Sequence, residues 1–104
     1  MIKRIVKLTF QKDKVEDFIQ IFETSKHKIR QFPGCQHLEL WHARQPSNVF
    51  FTYSYWDSEE DLNKYRYSDL FKATWAKTKI LFSDKPAAWS VDVKSKIDIN
   101  DCKK

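Results

Sequence analysis

The chain has 104 residues, 41% apolar and 15% aromatic, which suits one domain with its own core. Its net charge of +5 is spread along the chain rather than blocked, a pattern read as solubility ahead of nucleic-acid binding. A single glycine excludes a Gly-rich phosphate loop, two cysteines exclude a disulfide framework, and no apolar run is long enough to span a membrane.

Residues 2–10 alternate as a strand, with Ile2, Arg4, Val6, Leu8 and Phe10 on one face and Lys3, Ile5, Lys7 and Thr9 on the other. Gln11 to Arg30 reads as a helix whose apolar stripe is Val15, Phe18, Ile19, Phe22 and Ile29. Phe32-Pro33-Gly34-Cys35 ends it, because Pro33 disfavours helical geometry at Phe32 and Gly34 accepts turn dihedrals. A strand over 35–43 follows, with Cys35, His37, Glu39 and Trp41 assigned to one face and Leu38, Leu40 and His42 to the other. Gln45-Pro46-Ser47-Asn48 turns into the strand Val49–Trp56, making a hairpin.

Strand 49–56 runs without a loop into a helix at Asp57 to Arg66. Ser58 and Asp61 have capping-box spacing, and Glu59, Glu60 and Asp61 suit the positive end of the helix dipole. Tyr67-Ser68-Asp69 reads as a break and a new N-cap, followed by a helix to Phe82 with Leu70, Phe71, Trp75, Leu81 and Phe82 in its stripe, completed by Thr74 and Thr78. A last strand is expected over 87–96. The domain is thus expected over residues 1–96, with a loose polar tail at 97–104.

The order β-α-β-β-α-α-β predicts an α+β, ferredoxin-like fold, a four-stranded antiparallel sheet with helices on one face. The other face carries too many aromatics to stay wet, so a homodimer through the sheet face is expected.

The order of elements, the Phe32-Pro33-Gly34 turn, Trp56 followed by Ser58-Glu59-Glu60, and the Ser68…Phe71 segment together resemble the antibiotic biosynthesis monooxygenase (ABM) family. That family belongs to the dimeric α+β barrel superfamily, and the resemblance spans roughly residues 1–95. It implies a homodimer with a pocket in each subunit. It also implies oxidation of quinol-like or polyphenolic aromatics by dioxygen, with neither flavin nor metal. The chain departs from the family where members often carry histidines, at Tyr65 and in Ser68-Asp69-Leu70-Phe71. The haem-degrading branch needs an Asn, a Trp and a proximal His where this chain has Val6, Tyr65 and Trp75, so haem degradation is disfavoured.

The candidate catalytic residues are Trp56, whose indole N–H can reach a substrate oxygen, Tyr65, and His37, a base near neutral pH that Glu39 can orient. The candidate substrate-pocket residues are Phe71, Trp75, Tyr53 and Arg4, with Arg4 holding an anionic oxygen. Each has a competing structural reading: core packing for Trp56, Phe71 and Trp75, half-buried packing for Tyr65, dimer burial for Tyr53 with Tyr55, a rim salt bridge for Arg4 and a bystander role for His37. His27, His37 and His42 lack convergent metal-ligand spacing, so no metal site and no cofactor is expected. The expected reading is a cofactor-independent monooxygenase. The alternative is a non-catalytic homodimer that binds a small aromatic ligand or serves as a structural module. The expected partners are a second copy and a small aromatic molecule, with neither nucleic acid nor membrane. Without a signal-like N-terminus the expected location is the cytoplasm.

Overall fold

The computed structural model describes residues 1–102, so Lys103 and Lys104 of the expected tail lie outside the described residues. Its strands are β1 (Ile2–Thr9), β2 (Cys35–His42), β3 (Val49–Trp56) and β4 (Ala87–Val91). They form one sheet in the order β2-β3-β1-β4, every pairing antiparallel. Three helices, α1 (Val15–Arg30), α2 (Glu59–Arg66) and α3 (Asp69–Lys79), complete the ferredoxin-like α+β arrangement expected from the element order.

β1 is central and alternates as expected. Leu8 and Phe10 point into the main core with Phe18, Phe22, Phe50 and Leu81. Phe10 is fully buried, stacked on Phe18 at 4.2 Å between ring centroids and on Phe82 at 5.2 Å. A smaller cluster of Cys35, Trp56 and Leu62 fills the other end of the sheet.

The helix boundaries differ from expectation for local reasons. Gln11 supplies no side-chain cap, and its amide donates instead to the carbonyls of Ile80 and Phe82. The chain therefore makes a 3-10 turn at Lys12–Lys14 before α1 begins. α3 stops at Lys79 because the next residues are claimed elsewhere. The Leu81 carbonyl accepts from Gln11, and Phe82 bridges to Phe10. β4 ends at Val91, opposite Lys3 and one residue short of the start of β1 at Ile2, so it is shorter than the expected 87–96.

The caps follow the sequence. Ser58 Oγ accepts from the Asp61 N–H at 3.1 Å, and Ser68 Oγ accepts from the Phe71 N–H at 3.1 Å. Each serine thus satisfies a backbone donor that its helix leaves unpaired.

Cys35 is a correction. A bulge inserts Gln36 into β2, so Cys35 pairs with Trp56 while His37 pairs with the adjacent Tyr55. One extra residue reverses the side-chain parity, and Cys35 packs under the helices while His37 stays on the opposite face. Burial pushes the Cys35 thiol up.

Gly34 sits at φ +91°, and its carbonyl accepts from the Asp57 N–H at 2.9 Å, tying the α1–β2 turn to the start of α2. A Cβ there would lie 2.5 Å from Asp61 Cβ. Gly34→Ala is expected to cost about 3 kcal/mol, from the positive φ and the clash together. A urea titration checks this, and a loss below 1 kcal/mol would show that the turn relaxes freely.

Candidate functional site

The space between sheet and helices is not filled. A cavity of about 110 Å³ lies there, walled by Trp56 of β3, Tyr65 of α2, and Phe71 and Trp75 of α3, with Phe18 and Phe22 of α1 opposite. Phe71 and Trp75 line it rather than plug it. Its wall is a run of aromatic contacts. Trp56 stacks on Tyr65 at 5.0 Å, Tyr65 meets Phe71 edge-on at 5.3 Å, and Phe71 stacks on Trp75 at 5.7 Å.

A second hollow of about 280 Å³ adjoins the cavity and shares Tyr65, Phe71 and Trp75 with it. Arg4 and Arg66 line this hollow. Arg4 reaches it because even-numbered residues of β1 face the helices. Arg66 reaches it because it stands one helical turn after the buried Leu62. An apolar cavity of about 150 Å³ is known to take benzene. The inner cavity, at about 110 Å³, is smaller than that, so an aromatic ring occupies it only with movement of the aromatic wall it shares with the adjoining hollow.

The polar groups of the cavity are few. Ser25 and Thr78 donate to the carbonyls of Ile21 and Thr74 within their own helices, each at 2.8 Å. Trp56 is almost completely buried, and its indole N–H donates to Ser54 Oγ at 3.0 Å. That donor is therefore already committed within the protein. Tyr65 differs, because its hydroxyl has no hydrogen-bond partner among the described residues. Burial first, and then the Cys35 thiol, push its phenol far above the usual tyrosine range. Such a phenol stays protonated at physiological pH and serves as a hydrogen-bond donor, not as a base.

The structure separates the sequence candidates into two groups. Trp56, Tyr65, Phe71 and Trp75 meet at the cavity, and Arg4 lines the adjoining hollow. His37 and Tyr53 do not reach it, which corrects their grouping with the pocket. Both stand on the opposite sheet face: strand parity places odd-numbered residues of β3 away from Trp56 and Ser54, and His37 of β2 pairs directly with Tyr55. There His37 stacks on Tyr55 at 4.8 Å and bonds Glu39, holding that carboxyl below its usual range. Trp41 stacks on Tyr53 at 4.6 Å, and Lys3 Nζ lies 3.4 Å from the Tyr55 ring centre. His42 is on the helix side, stacked on Phe50, so the two strand histidines do point apart.

Ser54 and Arg66 are among the lining residues that the sequence did not single out. Ser54 could have been found from its parity with Trp56, two residues on. Arg66 could have been found from its spacing of four from Leu62. Among the described residues no cluster of three or more His, Cys, Asp and Glu is placed to hold a metal ion, and no helix is long and apolar enough to cross a membrane.

Known proteins share this architecture. A crystal structure of an antibiotic biosynthesis monooxygenase superposes with a TM-score of 0.86 at 15% identity, over 91% of this chain and 100% of that one. A protein assigned to the same class from Caulobacter crescentus CB15 superposes at 0.84 with 22% identity, over 90% of each chain. Another from Nitrosomonas europaea reaches 0.84 at 13% identity, over 91% and 100%. At such identities these likenesses establish the fold. No curated protein matches the sequence. The family profile described as antibiotic biosynthesis monooxygenase matches residues 1–77, which is most of the chain and includes Trp56, Tyr65, Phe71 and Trp75. With that match over a cavity built from the same residues, the chain belongs to the antibiotic biosynthesis monooxygenase family.

Proposed function

We propose that the protein is a monooxygenase that oxidises a quinol-like or polyphenolic aromatic with dioxygen, the substrate itself supplying the electrons. The observation that carries this reading is the aromatic-walled cavity lined by Tyr65, whose hydroxyl has no hydrogen-bond partner among the described residues. In the balanced reaction a quinol and dioxygen give a hydroxyquinone and water. One oxygen atom enters the ring, the other leaves as water, and the substrate provides all four electrons.

The chain's own residues have three tasks in this scheme. The aromatic wall orients the ring and excludes water, which protects reduced-oxygen intermediates from diversion. Tyr65 donates to an oxygen that gains negative charge as the ring is oxygenated, and a donor already in place stabilises that charge without reorganisation. Trp56 holds the wall in shape. The unit that does this is residues 1–96, and it works as a homodimer whose sheets face one another. The exposed Trp41 and Trp89 support that arrangement, since both lie on the face that no helix covers. Light scattering should then give twice 12.5 kDa.

A non-catalytic binding module is the second reading. It is favoured by one observation: among the described residues no histidine or carboxylate lines the cavity. Dioxygen uptake by the pure protein with a panel of quinols separates the two. Uptake above background with an oxygenated product is the expected outcome. Its absence across a panel whose members bind would leave the binding module.

A further inference from the structure

Arg4 and Arg66 are two guanidinium groups at one hollow, and neither forms an ion pair among the described residues. Arg4 Nη1 donates to Ser90 Oγ at 3.1 Å, across the β1–β4 pairing, which holds the guanidinium in place and leaves its other donors free. Arg4 is half-buried between β4 and the Tyr65–Phe71–Trp75 wall. Burial, and then the charge of Arg66, disfavour its protonated form. Arg66 is exposed and Arg4 half-buried, so the repulsion between them is partly screened by water, and an anion in the hollow would relieve what remains. Among the described residues the only other titratable group lining the hollow is Tyr65, which is neutral, and α3 contributes Phe71 and Trp75.

We infer that the hollow is the entrance to the cavity and that Arg4 and Arg66 form an anion clamp there, which takes aromatic substrates through an anionic oxygen, a phenolate or a carboxylate, borne by the ring. The inference rests on reading the cavity as the substrate site. It also supplies what the cavity lacks, a means of generating the reactive anion. With no histidine or carboxylate in the lining, a phenol gives its proton to bulk water and the clamp holds the phenolate. The pH dependence of substrate use then follows the ionisation of the substrate and not that of a protein base.

An anaerobic titration tests the clamp apart from any chemistry. Para-nitrophenol ionises near neutrality and its phenolate absorbs visible light, so its bound ionisation is read directly. Para-nitroanisole is its neutral counterpart, and gentisate with its methyl ester forms the carboxylate pair. Para-nitrophenolate is expected to bind about tenfold tighter than the phenol, lowering the apparent pKa of the bound ligand by about one unit. Gentisate is expected to bind tighter than its ester by a similar factor if the carboxylate is the group held. Arg66→Gln, on the surface, and Arg4→Gln should each remove most of the preference. Arg4→Lys should keep part of it, and Lys64→Gln, an equal charge change on α2, should leave it intact.

A preference confined to one pair identifies the source of the anion. No preference in either pair, no binding of either anion, or a preference that survives both glutamine variants overturns the clamp. Anion binding with no dioxygen uptake would sink the monooxygenase reading alone. Uptake with equal use of anionic and neutral substrates would sink the clamp alone.

Discussion

Trp56→Ala is expected to destabilise the protein by about 3–5 kcal/mol, with a fall in Tm of more than about 12 °C. Trp56 is 1% exposed, and its ring is shared by every part of the smaller core cluster. It meets Phe32 edge-on at 6.4 Å and Tyr65 face-on at 5.0 Å, and its N–H is the partner of Ser54. Truncation would open a void beside the existing cavity and leave Ser54 without its donor. Thermal denaturation checks this directly, and a loss under 1 kcal/mol would show that the α2 end of the sheet collapses onto the space. The result also governs how activity data are read. Loss of dioxygen uptake in Trp56→Ala reports a damaged wall, and a role for its N–H in the reaction requires a stable variant such as Trp56→Phe.

Tyr65→Phe is expected to behave in the opposite way. The ring and its stacking on Trp56 remain, and the hydroxyl that is removed has no partner among the described residues. Stability should change by less than about 0.5 kcal/mol. If Tyr65 donates to a developing oxyanion, kcat should fall by about a hundredfold with KM little changed, the size of effect seen when one such donor is removed. Because the phenol is raised far above its usual range, the wild-type rate should show no titration of a tyrosine across the physiological range. A variant that is stable and fully active would leave Tyr65 as wall alone, and the search for the oxyanion donor would move to Ser54 and Arg4.

Much of the fold was legible in the chain because it depends on local signals. The alternation of Leu8 and Phe10 with Lys7 and Thr9 identified the face of β1 that meets the helices. Ser58 and Ser68 marked the two helix starts, since a side-chain oxygen there satisfies backbone donors that no other residue nearby can reach. The element order was enough for the topology because antiparallel neighbours joined by short connections have few ways to pair.

The candidate site was legible only in part. Trp56, Tyr65, Phe71 and Trp75 were identifiable as aromatics at sheet-to-helix junctions and on helix stripes, and they do converge. His37 and Tyr53 were grouped with them on residue chemistry, yet a strand carries two faces and chemistry does not say which one encloses a cavity. The bulge at Gln36 is a backbone event with no strong sequence mark, and it alone moved Cys35 to the other face. Arg66 shows the same division. Its charge and its place at the end of α2 are written in the sequence, but it shares a hollow with Arg4 only because α2 packs on β3, the strand paired with β1. Local periodicity and capping therefore determined the elements and their order. The tertiary structure decided which side chains share a volume, because that depends on how the faces of separate elements meet.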